Sequence, residues 1–375
     1  MPAPWNHNRL TGKLGIDNPI IQGPFGGFAS QKLTAAVSNF GGMGSFGANA
    51  LAPEAITEVI AEIRSLTSKP FAMNLWVSVE DEGARTSDEA AFNRCLAPLA
   101  GHLSSLGAPL PAHKHTSANQ FEHQARALLD AKPAAFSFIF GIPPREMLDE
   151  CRAKGIVTIG TATTPDEAAV LRDAGVDAIA ASGFEAGGHR SSFLRTAEES
   201  LMGTFSLVPQ VADIVDVPVI AAGGIADARG VVAALALGAE AVQLGTVLLS
   251  CEGSGASRLH RETLLRRNNQ TALTRGFTGR LARGIRNRVM EDLSRKEIEI
   301  LPYPLQRGLV RNLTTAAEAA GRADLVPMWA GQSTNLAACT DAAAFLQELV
   351  EEVSEIAGQV SEWNANRNRK KRHAH

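Results

Sequence analysis

The sequence predicts a (β/α)₈ barrel, of the TIM type, with an inserted helical second domain. Eight short apolar runs alternate with helical stretches over about the first 250 residues, which is the spacing typical of this fold. The runs are apolar at successive positions, as expected of strands buried on both faces of a parallel sheet. The whole chain has 375 residues, so the barrel leaves a remainder to assign. The eight runs are residues 19–22, 42–46, 71–75, 135–140, 156–159, 178–181, 217–221 and 241–244.

The segments between these runs carry signals of helix boundaries. Thr164 is a good N-cap, Pro165 suits the first helical position, and Gly175 ends the same stretch. Similar helices are expected to begin near Pro53 and Asp227. The rival architecture is an open doubly wound sheet, which a G-x-G-x-x-G fingerprint on the first strand would favour. The first run lacks that fingerprint, so we predict the barrel.

The pattern changes after residue 250, where a basic segment begins. Residues 261–300 contain 10 basic and 5 acidic residues, and we expect 256–300 to be helical. A further helix is expected at 310–321, and the amphipathic stretch 340–360 is expected to be the last barrel helix. The predicted units are a barrel of residues 1–250 plus 326–362, a helical insert of 251–325 and a basic disordered tail of 363–375.

Composition and charge narrow the classes of function. Hydrophobic residues make up 45% of the chain and charged residues 20%, which excludes wholesale disorder. The net charge is −3, so no global field favours nucleic acid or a membrane surface as a partner. No secretory signal is visible, no apolar run is long enough to span a membrane, and no CxxC pair occurs. We therefore expect a reduced cytoplasmic protein without a metal site or a disulfide framework, its cysteines being Cys95, Cys151, Cys251 and Cys339.

Function in a barrel is located at the carboxyl ends of the strands, so the residues after each run are the candidates. Gly223 and Gly224 follow the seventh run, and Gly245 and Thr246 follow Gln243 near the end of the eighth. Barrel phosphate sites are commonly built from these two loops, because glycines let backbone N–H groups approach a phosphate closely. The alternative is that Gly-Gly only turns a strand into a helix. Both motifs together favour a phosphate-bearing cofactor or substrate.

A histidine in a glycine-rich loop follows the sixth run. His189 comes directly after Gly187 and Gly188, and Ser182 begins the loop. On the active face of a barrel such a histidine is well placed to act as a base, although a loop histidine bonded to its neighbours is the commoner situation. Glu185 is expected to have a structural role. The loop contains no cysteine, which argues against the barrel dehydrogenases that use a thiol nucleophile.

Three other places add candidate contacts. Gly23, Pro24 and Phe25 follow the first run and offer a close, backbone-lined approach with an aromatic edge. Asn74, in the third run, supplies both an amide donor and an acceptor, with a turn or cap role as the alternative. The apolar segment around Gln332 precedes the final helix and is positioned to fold back over the active face.

Several of these stretches carry a resemblance to a known family. The stretches are Pro19-Ile20-Ile21-Gln22-Gly23-Pro24, Glu185-Ala186-Gly187-Gly188-His189-Arg190, Leu207-Val208-Pro209-Gln210, Ala221-Ala222-Gly223-Gly224-Ile225, Gln243-Leu244-Gly245-Thr246 and Trp329-Ala330-Gly331-Gln332. They resemble the nitronate monooxygenase family, formerly called 2-nitropropane dioxygenases, over about residues 15–335. Phe25 and Ser182 depart from the family pattern, which often has Met and Gln at these places.

The resemblance implies an FMN-dependent barrel enzyme that oxidises alkyl nitronates with O₂ to carbonyl compounds and nitrite, through one-electron transfer to the flavin. It places the FMN phosphate against Gly224, Gly245 and Thr246, and the flavin ring near Asn74, Gly23 and Gln243. His189 would lie beside the nitronate, where an imidazolium stabilises the anion and a neutral ring removes the α-proton of a nitroalkane. The implied cofactor-binding residues are Gly23, Pro24, Phe25, Asn74, Ser182, Gly187, Gly188, Gly223, Gly224, Gln243, Leu244, Gly245, Thr246 and Gln332.

Two other classes of function stay open. The first is an FMN-dependent enoyl-ACP reductase that uses NAD(P)H, whose family shares the loop histidine and the flavin loops. The second is a non-catalytic barrel that binds a phosphate or a flavin. The expected partners are a small nitronate and O₂, with neither nucleic acid nor a membrane. The basic insert is a candidate contact in a homodimer.

Overall fold

The chain folds into a parallel eight-stranded barrel surrounded by helices. The computed structural model describes residues 5–78, 88–113 and 120–372. The eight barrel strands are β1 (Ile20–Gln22), β2 (Gly44–Gly47), β3 (Phe71–Trp76), β4 (Ala135–Ile139), β5 (Val157–Ala162), β6 (Ala178–Ser182), β8 (Val219–Ala222) and β9 (Ala241–Leu244). Three shorter strands complete the set: β7 (Gly188–His189), β10 (Thr271–Thr274) and β11 (Ala282–Ile285).

The barrel strands lie in the order β1-β9-β8-β6-β5-β4-β3-β2. A parallel bridge between Ile21 and Met43 joins the two ends of this sheet, and the Gln22 N–H donates to the Met43 carbonyl at 2.9 Å. The sheet is therefore a barrel and not an open doubly wound sheet. All eight predicted runs are strands of it, which confirms the predicted fold class.

The amino-terminal end of the barrel is closed by small side chains and one helix. Ala72, Ala135 and Ala178 form a buried cluster with Leu10 and Leu14 of the first helix. Small residues let the strands' interior side chains fill the barrel without a pore. Only the carboxyl end of the barrel is left for a cavity.

The helices follow the predicted boundary signals closely around the barrel. The Thr164 side chain accepts a hydrogen bond from the Glu167 N–H, Pro165 occupies the first helical position, and Gly175 ends the helix with φ of 82°. The helices are α1 (Arg9–Leu14), α2 (Gln31–Phe40), α3 (Pro53–Leu66), α4 (Glu89–Leu96), α5 (Ala100–Ser105), α6 (Phe121–Ala131), α7 (Arg145–Lys154), α8 (Pro165–Ala174), α9 (Thr204–Ile214), α10 (Ala228–Ala236), α11 (Thr246–Leu249), α12 (Arg258–Leu265), α13 (Arg288–Asp292), α14 (Leu305–Ala319) and α15 (Ala342–Arg372).

The insert is not wholly helical, which corrects the expectation for 256–300. β10 and β11 pair antiparallel, and β11 pairs in turn with β7 from the loop that follows β6. The helical prediction for this segment was wrong because two of its basic side chains are buried and do not form a solvated helix face. Arg280 and Arg283 are 8% and 4% exposed. The Arg283 Nε donates to the Phe184 carbonyl at 2.9 Å, and its guanidinium lies over the Phe184 ring.

A second hydrophobic core lies beside the barrel. It includes Phe277 and Leu309 of the insert, and it also takes in Phe92 and Leu103 from α4 and α5. These two helices lie between β3 and β4 in the sequence. The insert is therefore packed against a piece of chain that lies well before it in sequence.

The final helix packs on the barrel as its last helix, against α10 and α2. It continues to Arg372, beyond residue 362, where a disordered tail was expected to begin. Among the described residues, no helix combines the length and the apolar character that crossing a membrane would need.

Two cysteines form a disulfide, which corrects the expectation of four reduced thiols. Cys251 and Cys339 are bonded, with their Cα atoms 5.1 Å apart, although 88 residues separate them in sequence. The sequence distance concealed their proximity, because the chain leaves the barrel after β9 and returns to the same place before α15. Cys95 and Cys151 are free and buried.

Candidate active site

A cavity of about 450 Å³ opens at the carboxyl ends of the barrel strands. Its wall is built from the loops after β1, β6, β8 and β9, from α14 and from the segment before α15. The sequence-predicted residues that line it are Gly23, Pro24, Phe25, Ser182, Gly187, Gly188, His189, Gly223, Gly224, Gln243, Gly245 and Thr246.

Three predicted residues do not line this cavity. Asn74 is buried inside the barrel, where its Nδ2 donates to Ser137 Oγ at 2.9 Å. Leu244 is fully buried in the core. Gln332 is exposed, and its backbone N–H donates to the Glu185 carbonyl at 2.8 Å. Its neighbours Gly331 and Ser333 reach the cavity instead.

One end of the cavity presents backbone N–H groups that have no acceptor. The N–H of Gly23 continues the sheet by donating to the Leu244 carbonyl, but those of Gly224 and Gly245 donate to no group in the described chain. A Cβ atom at Gly245 would meet nothing within 4 Å, so this glycine borders open space. Convergent N–H groups without partners suit an oxyanion such as a phosphate, so this end of the cavity fits the phosphate of a flavin nucleotide.

The segment before α15 folds back over this end, as predicted. The Gly331 N–H donates to Thr246 Oγ1 at 2.8 Å, and Ser333 Oγ donates to the Gly224 carbonyl at 2.6 Å. Since the Thr246 hydroxyl accepts this bond, its own proton is left to donate to a ligand. The Glu185 carboxylate is bound by the Thr204 N–H and hydroxyl, in keeping with the structural role expected for it.

Ser182 lies where β6 ends, and its loop is held from below by a buried arginine. The guanidinium of Arg190 donates to the carbonyls of Ser182, Thr163 and Ser200. Burial lowers the pKa of Arg190 to about 10, and the nearby carboxylates of Glu167 and Glu185 act in the opposite sense. The Arg190 guanidinium therefore fixes the backbone at the start of the histidine loop through hydrogen bonds to its carbonyls.

His189 lines the same cavity, on the two-residue strand β7 that pairs with β11. Its Nε2 is 2.9 Å from Thr278 Oγ1. Aromatic rings surround the imidazole: its ring centroid is 5.2 Å from that of Trp76, 5.7 Å from Trp329 and 6.0 Å from Tyr303. The histidine is thus fixed by strand pairing and held between rings, with one edge toward the cavity.

The surroundings of His189 keep the imidazole neutral. Burial lowers the pKa of His189, and the positive charges of Arg280 and Arg307 act in the same direction, so that together they bring it to about 3. The Arg280 guanidinium lies 4.2 Å from the Phe140 ring centroid and 4.7 Å from that of Tyr303. A neutral imidazole near physiological pH is a proton acceptor, and the two guanidiniums make the surroundings favourable to an anion.

Several wall residues were not anticipated from the sequence. Trp76 ends β3, so the rule that strand ends carry the site could have found it. Arg307 and Arg311 reach the cavity from α14, and Tyr303, which precedes that helix, contacts the His189 imidazole behind the wall. No local signal marks these three residues, because only the packing of the insert brings them to the barrel's open end.

These features define the class of protein: a (β/α)₈-barrel enzyme whose open end combines backbone N–H groups without partners in the described chain with a neutral histidine. A family model described as nitronate monooxygenase matches residues 7–352. The chain belongs to the nitronate monooxygenase family and is a flavin-dependent oxidoreductase.

Individual relatives agree with this membership. A "Probable nitronate monooxygenase" of Staphylococcus aureus (strain Newman) is 40% identical over 356 residues, covering 94% of this chain and 99% of the relative. The structure of a nitroalkane oxidase from Streptomyces ansochromogenes has a TM-score of 0.85 at 33% identity, covering 94% of this chain and all of that one. FabK from Thermotoga maritima has a TM-score of 0.74 at 25% identity, with 95% of this chain and 99% of that chain covered.

Proposed function

We propose that this protein is an FMN-dependent nitronate monooxygenase, which converts alkyl nitronates and O₂ to carbonyl compounds and nitrite. The observation that carries the proposal is the pairing of two features in one cavity. Gly224 and Gly245, whose N–H groups have no partner in the described chain, line the same cavity as the neutral His189. Membership of the nitronate monooxygenase family supports the reaction, and the nitroalkane oxidase of similar structure supports the substrate class.

FMN is the form of flavin that the cavity suits, because its terminal phosphate matches the N–H groups of Gly224 and Gly245 and the hydroxyl of Thr246. Gly23, Pro24 and Gln243 would border the ring system. When bound, the flavin supplies the redox chemistry by taking electrons from the substrate and passing them to O₂. The protein's part is to bind, to orient and to exclude water.

The side chains around His189 are suited to a nitroalkane or its anion. The neutral imidazole accepts the α-proton of a nitroalkane, whose carbanion is the nitronate. The guanidiniums of Arg280 and Arg307 stabilise that anion relative to the neutral acid. The rings of Trp76 and Trp329 exclude water from the reacting carbon and leave space for an apolar alkyl chain.

One experiment separates the proposed function from its alternatives. The purified protein is loaded with FMN, its flavin spectrum is recorded, and either a preformed nitronate or NADPH is added under air. We expect oxygen consumption and nitrite release with the nitronate. Rapid bleaching by NADPH without nitronate turnover would overturn the proposal in favour of an enoyl-thioester reductase. A protein that cannot be loaded with FMN would contradict both enzymes.

The cofactor assignment has its own test. Riboflavin lacks the phosphate of FMN but keeps its ring and ribityl chain. We expect the flavin-free protein to bind FMN at least about 100-fold more tightly than riboflavin, because charge-assisted bonds to the unpartnered N–H groups are lost. The measurement is titration calorimetry or flavin fluorescence quenching. Equal affinities would place the phosphate away from these N–H groups.

A further inference from the structure

A threonine of the insert contacts the ring nitrogen of His189 on the side away from solvent. Thr278 Oγ1 lies 2.9 Å from His189 Nε2 and 3.2 Å from the carbonyl oxygen of Arg280. Thr278 is 6% exposed, and it lies between β10 and β11, the strand that pairs with the histidine's own strand. The three groups therefore form a short chain: imidazole, hydroxyl, carbonyl.

For a neutral imidazole, one arrangement of protons satisfies both hydrogen bonds in this imidazole–hydroxyl–carbonyl series. A carbonyl oxygen only accepts, so the single hydroxyl proton of Thr278 must point to Arg280. The hydroxyl oxygen is then an acceptor, and His189 Nε2 must carry the proton that it accepts. A neutral imidazole has one N–H, so Nδ1 holds a lone pair.

The remaining nitrogen is available to a ligand. Within the described chain, Nδ1 of His189 has no hydrogen-bond partner. Unlike the buried polar atoms that also lack a partner, Nδ1 keeps some accessible surface. His189 forms part of the cavity wall. The lone pair of Nδ1 is therefore the accessible basic site of the ring.

We propose that Thr278 is a positioning residue that holds His189 as the Nε2–H tautomer and so leaves Nδ1 to accept the α-proton of a neutral nitroalkane. The tautomer assignment stands on geometry alone, whereas the proton acceptance rests on the proposed function. A nitronate has already lost that proton. Thr278 therefore favours the use of neutral nitroalkanes relative to preformed nitronates.

The turn that carries Thr278 is rigid enough for this role. The Thr278 and Gly279 N–H groups both donate to the Arg275 carbonyl, at 3.2 and 2.7 Å. Gly279 has φ of 93°, and a Cβ there would lie 2.5 Å from the Leu301 carbonyl oxygen, so the turn is packed against its neighbour. The neighbouring Phe277 is 1% exposed. A hydroxyl on such a turn keeps its direction.

Among the described residues, the hydrogen bond to Nε2 of His189 comes from Thr278, and the other groups that face the imidazole make ring or charge contacts. The charged or titratable ones are the guanidiniums of Arg280 and Arg307 and the phenol of Tyr303. Trp76 and Trp329 present rings. Guanidiniums only donate, and the phenol oxygen of Tyr303 already accepts from Arg307 at 3.4 Å. Removal of the Thr278 hydroxyl would therefore take away the acceptor that Nε2–H has in this structure and weaken the tautomer preference.

The test uses the FMN-loaded protein, three variants for the comparison and a fourth for the assignment of resonances. Thr278→Val removes the hydroxyl at nearly constant volume, and Thr278→Ser keeps it. Thr263→Val is the matched control: its hydroxyl donates to the Leu259 carbonyl in the same insert and touches neither His189 nor the cavity. The ratio of kcat/KM for a neutral nitroalkane to kcat/KM for its preformed nitronate is measured for each. Histidine-selective ¹⁵N NMR reports the tautomer directly, with His189→Asn used to assign the resonances.

We expect ¹⁵N shifts of an unprotonated Nδ1 and a protonated Nε2 in the native protein and in Thr278→Ser. In Thr278→Val this preference weakens, and the nitroalkane-to-nitronate ratio falls by about 10-fold, while Thr278→Ser stays within about 3-fold. Thr263→Val keeps the native ratio. A protonated Nδ1 in the native protein, or an unchanged ratio in Thr278→Val, would overturn the proposal. Absence of all turnover would defeat the proposed function instead, and the NMR result would still decide the tautomer.

Discussion

At the scale of single residues, two buried histidines take up a proton only at a pH well below neutral. Burial lowers the pKa of His189 to about 3 and that of His260 to about 4. His260 contacts the Trp329 carbonyl through Nε2 at 3.1 Å, and Trp329 in turn packs against His189. One histidine thus borders the cavity, and the other supports a ring of its wall.

Replacing His189 by asparagine tests its role as a base. We expect His189→Asn to lower kcat/KM for a neutral nitroalkane by about 100-fold or more, because general base catalysis is lost while the pocket keeps an amide of similar reach. His123→Asn, on the exposed face of α6, is the control. Oxygen consumption and bound flavin are measured together. A variant that binds flavin and oxidises nitroalkanes at the native rate would exclude the assigned role.

Protein stability should fall in mild acid because of these histidines. Between the usual histidine pKa of 6.5 and the lowered values, the unfolded chain binds protons that the folded chain does not. The two histidines therefore leave the free energy of unfolding undiminished above pH 6.5 and lower it progressively as the pH falls below 6.5. His260→Gln should remove about 2 kcal/mol from the decrease in unfolding free energy between pH 7 and pH 5. Urea unfolding at both pH values checks this, and His123→Gln should leave the decrease unchanged.

At the scale of elements, the barrel was predictable and the insert was not. Each barrel strand is a short, doubly buried apolar run, so the eight runs could be located without tertiary information. β11 carries Arg283, whose guanidinium is bonded to the Phe184 carbonyl of a distant loop, and local sequence says nothing of that loop. The glycine motifs that follow the barrel strands predicted much of the cavity wall, because they too are local features of the sequence. Tyr303, Arg307 and Thr278 reach the site only through the insert.

The contact between β11 and the histidine loop can be tested at Arg283. Arg283→Lys should lower the unfolding free energy by about 1–3 kcal/mol, because a lysine cannot both bond the Phe184 carbonyl and lie flat over its ring. Arg286→Lys is the matched control, since Arg286 is exposed and pairs with Glu291. It should change the unfolding free energy by less than about 0.5 kcal/mol. Similar losses in the two variants would contradict the anchoring role of Arg283.

At the scale of the whole molecule, the chain is tied together where it leaves and re-enters the barrel. The bond between Cys251 and Cys339 encloses the insert, so the excursion begins and ends at one point on the barrel wall. Closing a loop of this length restricts the unfolded chain and stabilises the fold by up to about 4 kcal/mol in the chain-entropy description.

Thiol counting tests this connection. Cys95 and Cys151 are buried, and burial raises their pKa values to about 11 and about 12, so we expect neither to react in the folded protein at neutral pH. Denaturation without reductant should expose only these two thiols. Denaturation with reductant should expose all four cysteines of the sequence. Four reactive thiols before reduction would show that the bond is absent.

The pairing of β7 with β11 has a consequence for how this molecule can be altered. The proposed phosphate site belongs to the barrel's own loops, whereas the histidine lies on a sheet that the insert completes. The residues proposed for cofactor binding and those proposed for proton transfer therefore depend on different segments of the chain. An exchange of residues 251–325 between homologues would carry proton-transfer selectivity with it and leave cofactor choice behind, which makes the insert the unit in which new substrates are most directly engineered.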